Sequence, residues 1–473
     1  MGMTVTNINT LQLLGIVNRT SAAQSKALTQ LSTGYRINKA SDDPAGLIAM
    51  ENFNAELTAV GAALNNNQRA DAMLATAEGG LTEVSALLQE VEQLAMASVN
   101  DSTLSQAEIQ ANQAHIDGAL NAIDRIVNTT TFNGKQLLNG AQAINVTGVA
   151  ANTADNLRVY SRGQGSSNVD VTVTVTTAAN SATGTVTIAS GATLSAATEV
   201  AVTGTLGSQT VSLGVGDDET AIAAKINAAS AATGVDAVVV GDDVRLESST
   251  VGSDAYLSFE VLSGGGLTGG TSLNDVARSI GVDAVVTVNG RSITADGSDV
   301  AYTANGLSLE FSLGTSLDAA TDTETFTVQA SGGMTFQLGV DSTTQSTMGI
   351  SSLATHRLGG GDANAYLTEV KSGGAADLNS NTANTLKSVR KAITQVAAAK
   401  GRIGGFQKFQ VQTSINSLTQ MQESLTAAKS VIADTDYAVA TAELNRQSVL
   451  LNAGVSLLGL ANQQASQILT LLG

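Results

Sequence analysis

The chain is predicted to be an α+β multidomain protein. Long antiparallel coiled-coil helices come from both chain termini, and β-rich outer domains are inserted between them. Three observations predict this. Near each end, apolar residues recur at alternating spacings of three and four, the signature of a helix whose narrow seam needs a partner helix. Between about residues 146 and 345 the period becomes two, in runs rich in Thr and Val that suit half-buried strands. The acidity is uneven as well: residues 141–360 hold 21 acidic and 7 basic residues, leaving 20 and 16 for the two flanks. The middle is therefore expected to face water and the ends to be covered.

The carboxyl-terminal stretch, 436–473, places Leu444, Ser448, Leu451, Val455, Leu458, Asn462, Ala465, Leu469 and Leu472 on one stripe. Its other faces carry Asn445, Gln447, Asn452, Gln463, Gln464 and Gln467, polar but almost uncharged. Solvated helix faces normally use Lys and Glu, so an amide-and-alanine face points to burial against more protein. At the other end, Leu14, Val17, Ser21, Gln24, Leu28, Leu31 and Tyr35 repeat in the same way. The simplest arrangement pairs the two ends antiparallel and leaves outer surface for neighbouring copies. An ordinary helical bundle would give the same pattern.

Between the ends the elements follow in order. Gly34 is a left-handed cap for the first helix. Asp43 and Pro44 then supply the N-cap and first position of a second. That helix carries the stripe Leu74, Ala77, Leu81, Val84, Leu88, Val91 and Ala95, with close packing or a bend expected at Gly79-Gly80. After the polar break 100–102, a further helix carries Ile109, Ile116, Leu120, Ile123 and Val127. Asn133-Gly134 is a hairpin signal. Strands are expected at Val171–Val175, Thr185–Ile188, Val235–Val240, Ala284–Val288 and Thr325–Val328, interrupted by one helix, Glu219–Ala232, capped by Asp217 and Asp218. The Gly-rich run 263–271 marks a boundary between two outer subdomains. Helical periodicity returns with Ala365–Val370, then Leu386, Val389, Ile393 and Val396, and resumes beyond Gly404-Gly405 with Val411, Ile415, Leu418, Leu425 and Ile432. The expected domains are 1–42 with 433–473, 43–165 with 346–432, 166–270, and 271–345.

Composition excludes several classes of function. A length of 473 residues implies two to four domains. Aromatic residues make up only 3% and Trp is absent, which suits helix seams and sheets better than deep ligand pockets. A formal charge of −18 argues against nucleic acid as a partner. No window of eighteen apolar residues exists, so no membrane span is expected. Residues 1–14 lack a basic flank followed by an apolar core, so no cleavable secretory signal is expected.

Chemistry is equally thin. With two histidines and no cysteine, no zinc site of ordinary ligand spacing can be written, and no cofactor is expected. His115 sits in a helical stripe and reads as structural, while His356 lies in a polar turn. Neither His is near a nucleophile-elbow sequence. The glycine runs at 264–266, 332–333 and 359–361 lack a following Lys-Ser or Lys-Thr. The pairs Asp217-Asp218 and Asp242-Asp243 read as a helix cap and a turn. Not an enzyme is the expectation.

At this point the residues resemble a known family. Ile8–Thr10, Leu31–Asn38, Ala40–Gly46, Ala77–Val84, Ile123–Ile126 and Thr131–Gly134 are similar to the amino end of bacterial flagellin. Ile432–Ala438, Leu444–Arg446, Ala461–Gln463 and the run to Leu472 resemble its carboxyl end, and Phe336–Val340 its return into the inner domain. Ala221–Asn227 through Leu257–Phe259 is similar to a small module of some flagellar proteins. The resemblance implies a self-polymerising, extracellular filament subunit. Its partners would be other copies of itself, the flagellar export apparatus, an export chaperone, and cap and junction proteins. A hook–filament junction protein shares the terminal pattern, and an adhesive role for the outer domains is a further alternative.

The expected assembly interface joins Leu14, Val17, Leu28 and Leu31 to Leu451, Val455, Leu458 and Leu472, within or between subunits. The resemblance also implies a stretch, 89–100, that an innate-immune receptor contacts in some flagellins. Gln89, Leu94, Ala95, Ser98 and Asn100 fit that pattern. Glu90 stands where the family has a basic residue and His115 where it has a carboxylate, so recognition is expected to be weak or absent.

Overall fold

The computed structural model describes residues 8–98, 104–150, 154–162, 167–187, 193–241, 243–264, 267, 278–314, 317, 319–360 and 365–472. They form two compact units, Met1–Asn65 with Ser414–Gly473, and Asn66–Thr413.

The first unit is helical. α1 (Ile8–Thr33) stops where Gly34 adopts φ +77°, a conformation that glycine enters without a Cβ penalty. Asp42 gathers the turn that follows, accepting from the Asn38 and Lys39 amides and pairing with Lys26 at 3.0 Å. The Asp43 carboxylate then accepts from the Gly46 amide at 2.9 Å, capping α2 (Pro44–Ser98) as the sequence predicts. The turn after α1 is clasped to residues 432–435: the Arg36 amide donates to Ala433 O, the Thr435 amide to Gly34 O, and the Arg36 guanidinium to Ile432 O. A small core of Val60, Ala63 and Leu418 lies inside this unit.

In the second unit the stripe Leu74 to Ala95 on α2 is fully buried, as are Ile116, Leu120, Ile123 and Val127 on α3 (Gln106–Thr129). A capping box starts α3, with the Ser105 hydroxyl and the Glu108 carboxylate each meeting the other's backbone amide. β1 (Thr131–Phe132) and β2 (Lys135–Gln136) form the expected hairpin, with positive φ at both Asn133 and Gly134 as its turn demands. Gly80 marks close packing rather than a bend: a Cβ there would lie 2.9 Å from Leu138 Cδ1.

Two β cores follow. The strands are β3 (Ile144–Thr147), β4 (Ala154–Arg162), β5 (Val169–Thr177), β6 (Ser181–Thr187), β7 (Thr198–Gly204) and β8 (Gly207–Leu213). After α4 (Glu219–Ala228) and α5 (Ser230–Thr233) come β9 (Val235–Val240), β10 (Asp243–Val251), β11 (Tyr256–Ser263) and β12 (Ser279–Ile280). The last are β13 (Val285–Val288), β14 (Arg291–Thr294), β15 (Asp299–Ala304), β16 (Leu307–Leu313), β17 (Thr323–Gly332), β18 (Met334–Gln337) and β19 (Gln345–Met348). Two five-stranded sheets, β14-β13-β5-β17-β3 and β15-β16-β4-β19-β18, bury Val173, Val286, Phe311 and Phe326 in one core. Sheets β6-β10-β9 and β12-β11-β7-β8 bury Val186, Val202, Leu246 and Phe259 with Ile222 and Ile226 of α4 in another.

The predicted boundaries at 166–270 and 271–345 do not follow this pairing. β5 lies between β13 and β17, so the second core is an excursion, β6 to β12, out of the first. Alternation tells which residues form strands but not which strands pair. Much of the Gly-rich run 263–271 falls outside the described residues. The predicted helix Glu219–Ala232 is two helices, because Ala229 leaves α4 at φ −93°, ψ −5°. Asp218 caps α4, whereas Asp217 pairs with Lys225 at 2.5 Å.

α6 (Thr382–Phe406) passes through Gly404 and Gly405 without the expected break and reaches α7 (Gln412–Ala433) through one π turn, Gln407–Val411. It is tied to α2 by Arg390–Glu92 at 2.9 Å and Gln407 Nε2–Asp71 Oδ1 at 2.8 Å. α8 (Tyr437–Leu472) ends the chain's described part in the first unit.

Candidate assembly surface

α1 and α8 pair antiparallel within one chain. Gly34 meets Tyr437, Gln24 Nε2 donates to Ser448 Oγ at 2.9 Å, and a Cβ on Gly454 would lie 3.0 Å from Val17 Cγ2. The residues buried between them are small or polar: Thr20, Ala27, Ala440, Gln447 and Gly454. Gln447 meets the Glu443 carboxylate at 2.6 Å, so its amide is not left unsatisfied.

This corrects the phase of the predicted seam. Val17, Gln24, Leu31, Leu444, Leu451 and Leu458 are half-buried along it. At the alternate positions the seam buries Thr20, Ala27, Gln447 and Gly454 while Ser21, Leu28 and Val455 are exposed; Ser448 stays half-buried in it, bonded to Gln24. A heptad reading favours the larger apolar residue, but the helices approach closely where a side chain is smallest. Leu14, Leu28 and Val455 are consequently 45%, 59% and 56% exposed. The side chain of Leu472 lies outside the described residues.

The bare residues are numerous. Leu11 and Ile16 on α1 and Val439, Val449, Leu450, Leu457 and Leu460 on α8 are exposed too. Exposed large apolar side chains in such number make these two helices a candidate interaction surface. Few charges interrupt it. The Arg446–Glu443 pair at 2.7 Å is exposed and contributes little.

Other candidate residues stand apart. Gln89 and Glu90 are exposed on α2 and Leu94 is half-buried, but Ala95 and Ser98 are turned into the core and Asn100 is outside the described residues. His115 is exposed on α3, not in its buried stripe: Ile116 occupies the stripe, and the next residue round a helix points elsewhere. His356 is exposed in the turn Thr355–Arg357. Among the described residues no three His, Cys, Asp or Glu side chains are grouped to hold a metal ion, and no helix is long and apolar enough to cross a membrane.

Both helical regions match known sequences. Residues 5–143 match the bacterial flagellin N-terminal helical region and residues 386–472 the bacterial flagellin C-terminal helical region. The flagellin of Salmonella rubislaw is 28% identical over 514 residues, covering 99% of each chain. The chain belongs to the bacterial flagellins. The B-type flagellin of Pseudomonas aeruginosa is 27% identical over 498 residues, covering 100% of both chains. Among solved structures, the flagellar cap protein FliD of Bdellovibrio bacteriovorus covers 38% of this chain at 16% identity and a TM-score of 0.27, a likeness too slight to bear on function. The two regions of the flagellin match contain α1 to α3 and α6, from Leu386, to α8, so the β cores lie between them.

Proposed function

We propose that this flagellin is the self-polymerising subunit of a bacterial flagellar filament, a structural protein outside the cell that serves motility. One observation carries the assembly mechanism. The α1–α8 pair buries small and polar residues most deeply in its own seam and leaves many of its large aliphatic side chains, Leu14, Leu28 and Val455 among them, exposed. Burying a large aliphatic side chain fully is worth roughly 1.5–3 kcal/mol. Neighbouring copies that cover Leu14, Leu28 and Val455, with the half-buried Val17, Leu31, Leu451, Leu458 and with Leu472, supply burial that one chain cannot. Further partners under this reading are the flagellar export apparatus, an export chaperone, and cap and junction proteins.

Leu28→Asp and Val455→Asp test the mechanism, because both side chains are exposed in the single chain. Each variant is expected to keep the circular dichroism and melting of the wild-type monomer and to give no sedimenting filaments after seeding. Normal filaments from both would place the contacts between copies elsewhere.

We also propose weak or absent recognition of this chain by the innate-immune receptor, since Glu90 reverses a charge at the expected contact. Reversal at a desolvated contact costs several kcal/mol. A reporter-cell response equal to that of a strongly stimulating flagellin would refute it.

A further inference from the structure

A cleft of about 650 Å³ opens in the second unit where α6 faces the β10–β11 turn, the β14–β15 turn and the end of β16. That volume is in the range of small-molecule sites, which combine apolar walls with a few placed polar groups. Here Leu206, Val251, Leu313 and Leu317 supply apolar wall. The charged groups lie on two sides: Lys387 comes from α6, and Asp254 and Asp296 from the two turns.

The pairing of these charges is incomplete. On α6, Arg390 is held by Glu92 at 2.9 Å, and Lys391 is held by Asp299. Lys387, Asp254 and Asp296 have no side-chain hydrogen bond or ion pair among the described residues, and none joins them across the cleft. Ser249 lines the same cleft, and its hydroxyl is buried without a partner among the described residues. Burial holds Lys387 below the ordinary lysine range, with Asp236 opposing. Burial, then Asp254, Asp299 and Asp283, push Asp296 above the ordinary carboxylate range, with Lys391 opposing. Each side thus gains from a closer counter-charge than the described residues provide.

We propose that this cleft binds a small amphipathic zwitterion the size of a short apolar peptide. Its carboxylate meets Lys387, its ammonium meets Asp254 and Asp296, and its apolar side chains lie against Leu206, Leu313 and Leu317. An ammonium suits the acidic side better than a metal ion, because no metal-holding group of three exists among the described residues.

Calorimetric titration of the full-length monomer with leucyl-leucine tests this, beside octanoate, octylamine and N-acetyl-leucyl-leucine amide, which lack one or both charges. Leucyl-leucine is expected to bind at least tenfold more tightly than each of the three. Lys387→Met and Asp254→Asn are each expected to weaken it at least tenfold with melting unchanged. Absence of binding at concentrations on the order of 10 mM overturns the proposal. Equal binding of octanoate or octylamine, or undiminished binding by both variants, overturns it as well. Should one variant fail to fold, the other variant and the three analogues still decide. Filament formation is indifferent to every one of these outcomes.

Discussion

Two neighbouring glycines on α2 show how a single Cβ decides the sign of a substitution. An added Cβ at Gly79 meets nothing within 4 Å, whereas at Gly80 it meets Leu138 Cδ1 and Thr130 Oγ1, both at 2.9 Å. Alanine in a helix interior is worth about 1 kcal/mol over glycine. Overpacking a tight contact costs about 1–3 kcal/mol. Gly79→Ala is therefore expected to raise the monomer's melting temperature by a few degrees and Gly80→Ala to lower it, read by circular dichroism. The sequence showed a Gly-Gly pair in a helix but not which glycine was needed, because the neighbour that needs it, Leu138, lies 58 positions on. The same limit applies to the assembly seam. Ala27 and Gly454 are inconspicuous in a string of letters, and Leu28 and Val455 beside them draw the eye. Which pair lies inside depends on how closely two helices approach, a property of neither sequence alone. His115 was misread for a related reason, as one residue of phase separates the buried face from the exposed one.

At the scale of elements, α3 is fastened to the segment 355–372 by two carboxylates. Asp124 accepts from the Thr355 amide at 2.9 Å, the Thr355 hydroxyl at 2.8 Å and Lys371 Nζ at 3.0 Å. Asp117 accepts from the Ser372 amide at 3.0 Å and from Gln113 at 2.9 Å. Burial pushes both carboxyls up, but these hydrogen bonds and Lys371 outweigh it and leave both below the ordinary value of 3.8. A carboxyl lowered on folding stabilises the fold above its unfolded value and loses that contribution as pH falls through the folded value. Unfolding free energy is thus expected to be level near neutrality and to fall below about pH 4. Asp124→Asn should cost on the order of 1–3 kcal/mol at pH 7 and flatten that fall, measured by denaturant titration across pH. Helix stripes were legible because 3.6-residue periodicity is local; Leu74 to Ala95 and Ile109 to Val127 needed no partner to be recognised. The Ser105–Glu108 box is an equally local three-residue spacing, but it emerges only from the structure. The links from Asp117 and Asp124 across some 230 to 255 positions were not legible.

For the whole molecule, the outer core is a detour whose two ends meet. The Asn180 amide donates to Val282 O and the Val282 amide to Asn180 O, both at 2.9 Å. The apolar core between them, from Ala182 to Phe259, draws on no strand of the first sandwich. Replacing 181–281 by a short Gly-Ser turn is therefore expected to leave a folded monomer that still gives sedimenting filaments. Loss of filaments in that variant, with the monomer folded, would assign the outer core a part in polymerisation. The order of helices, sheets and helices was readable from the change of period, but the nesting was not, because β5 finds β13 more than a hundred residues away. The α1–α8 pair has a consequence for synthesis. Gln24 and its partner Ser448 are separated by 424 positions, so the ribosome delivers one half of the pair long before the other. A chain broken off anywhere between leaves α1 without its mate. Under the proposed assembly, only a chain translated through α8 can present the α1–α8 pair to a growing polymer, which makes incorporation itself a check that synthesis has passed that helix.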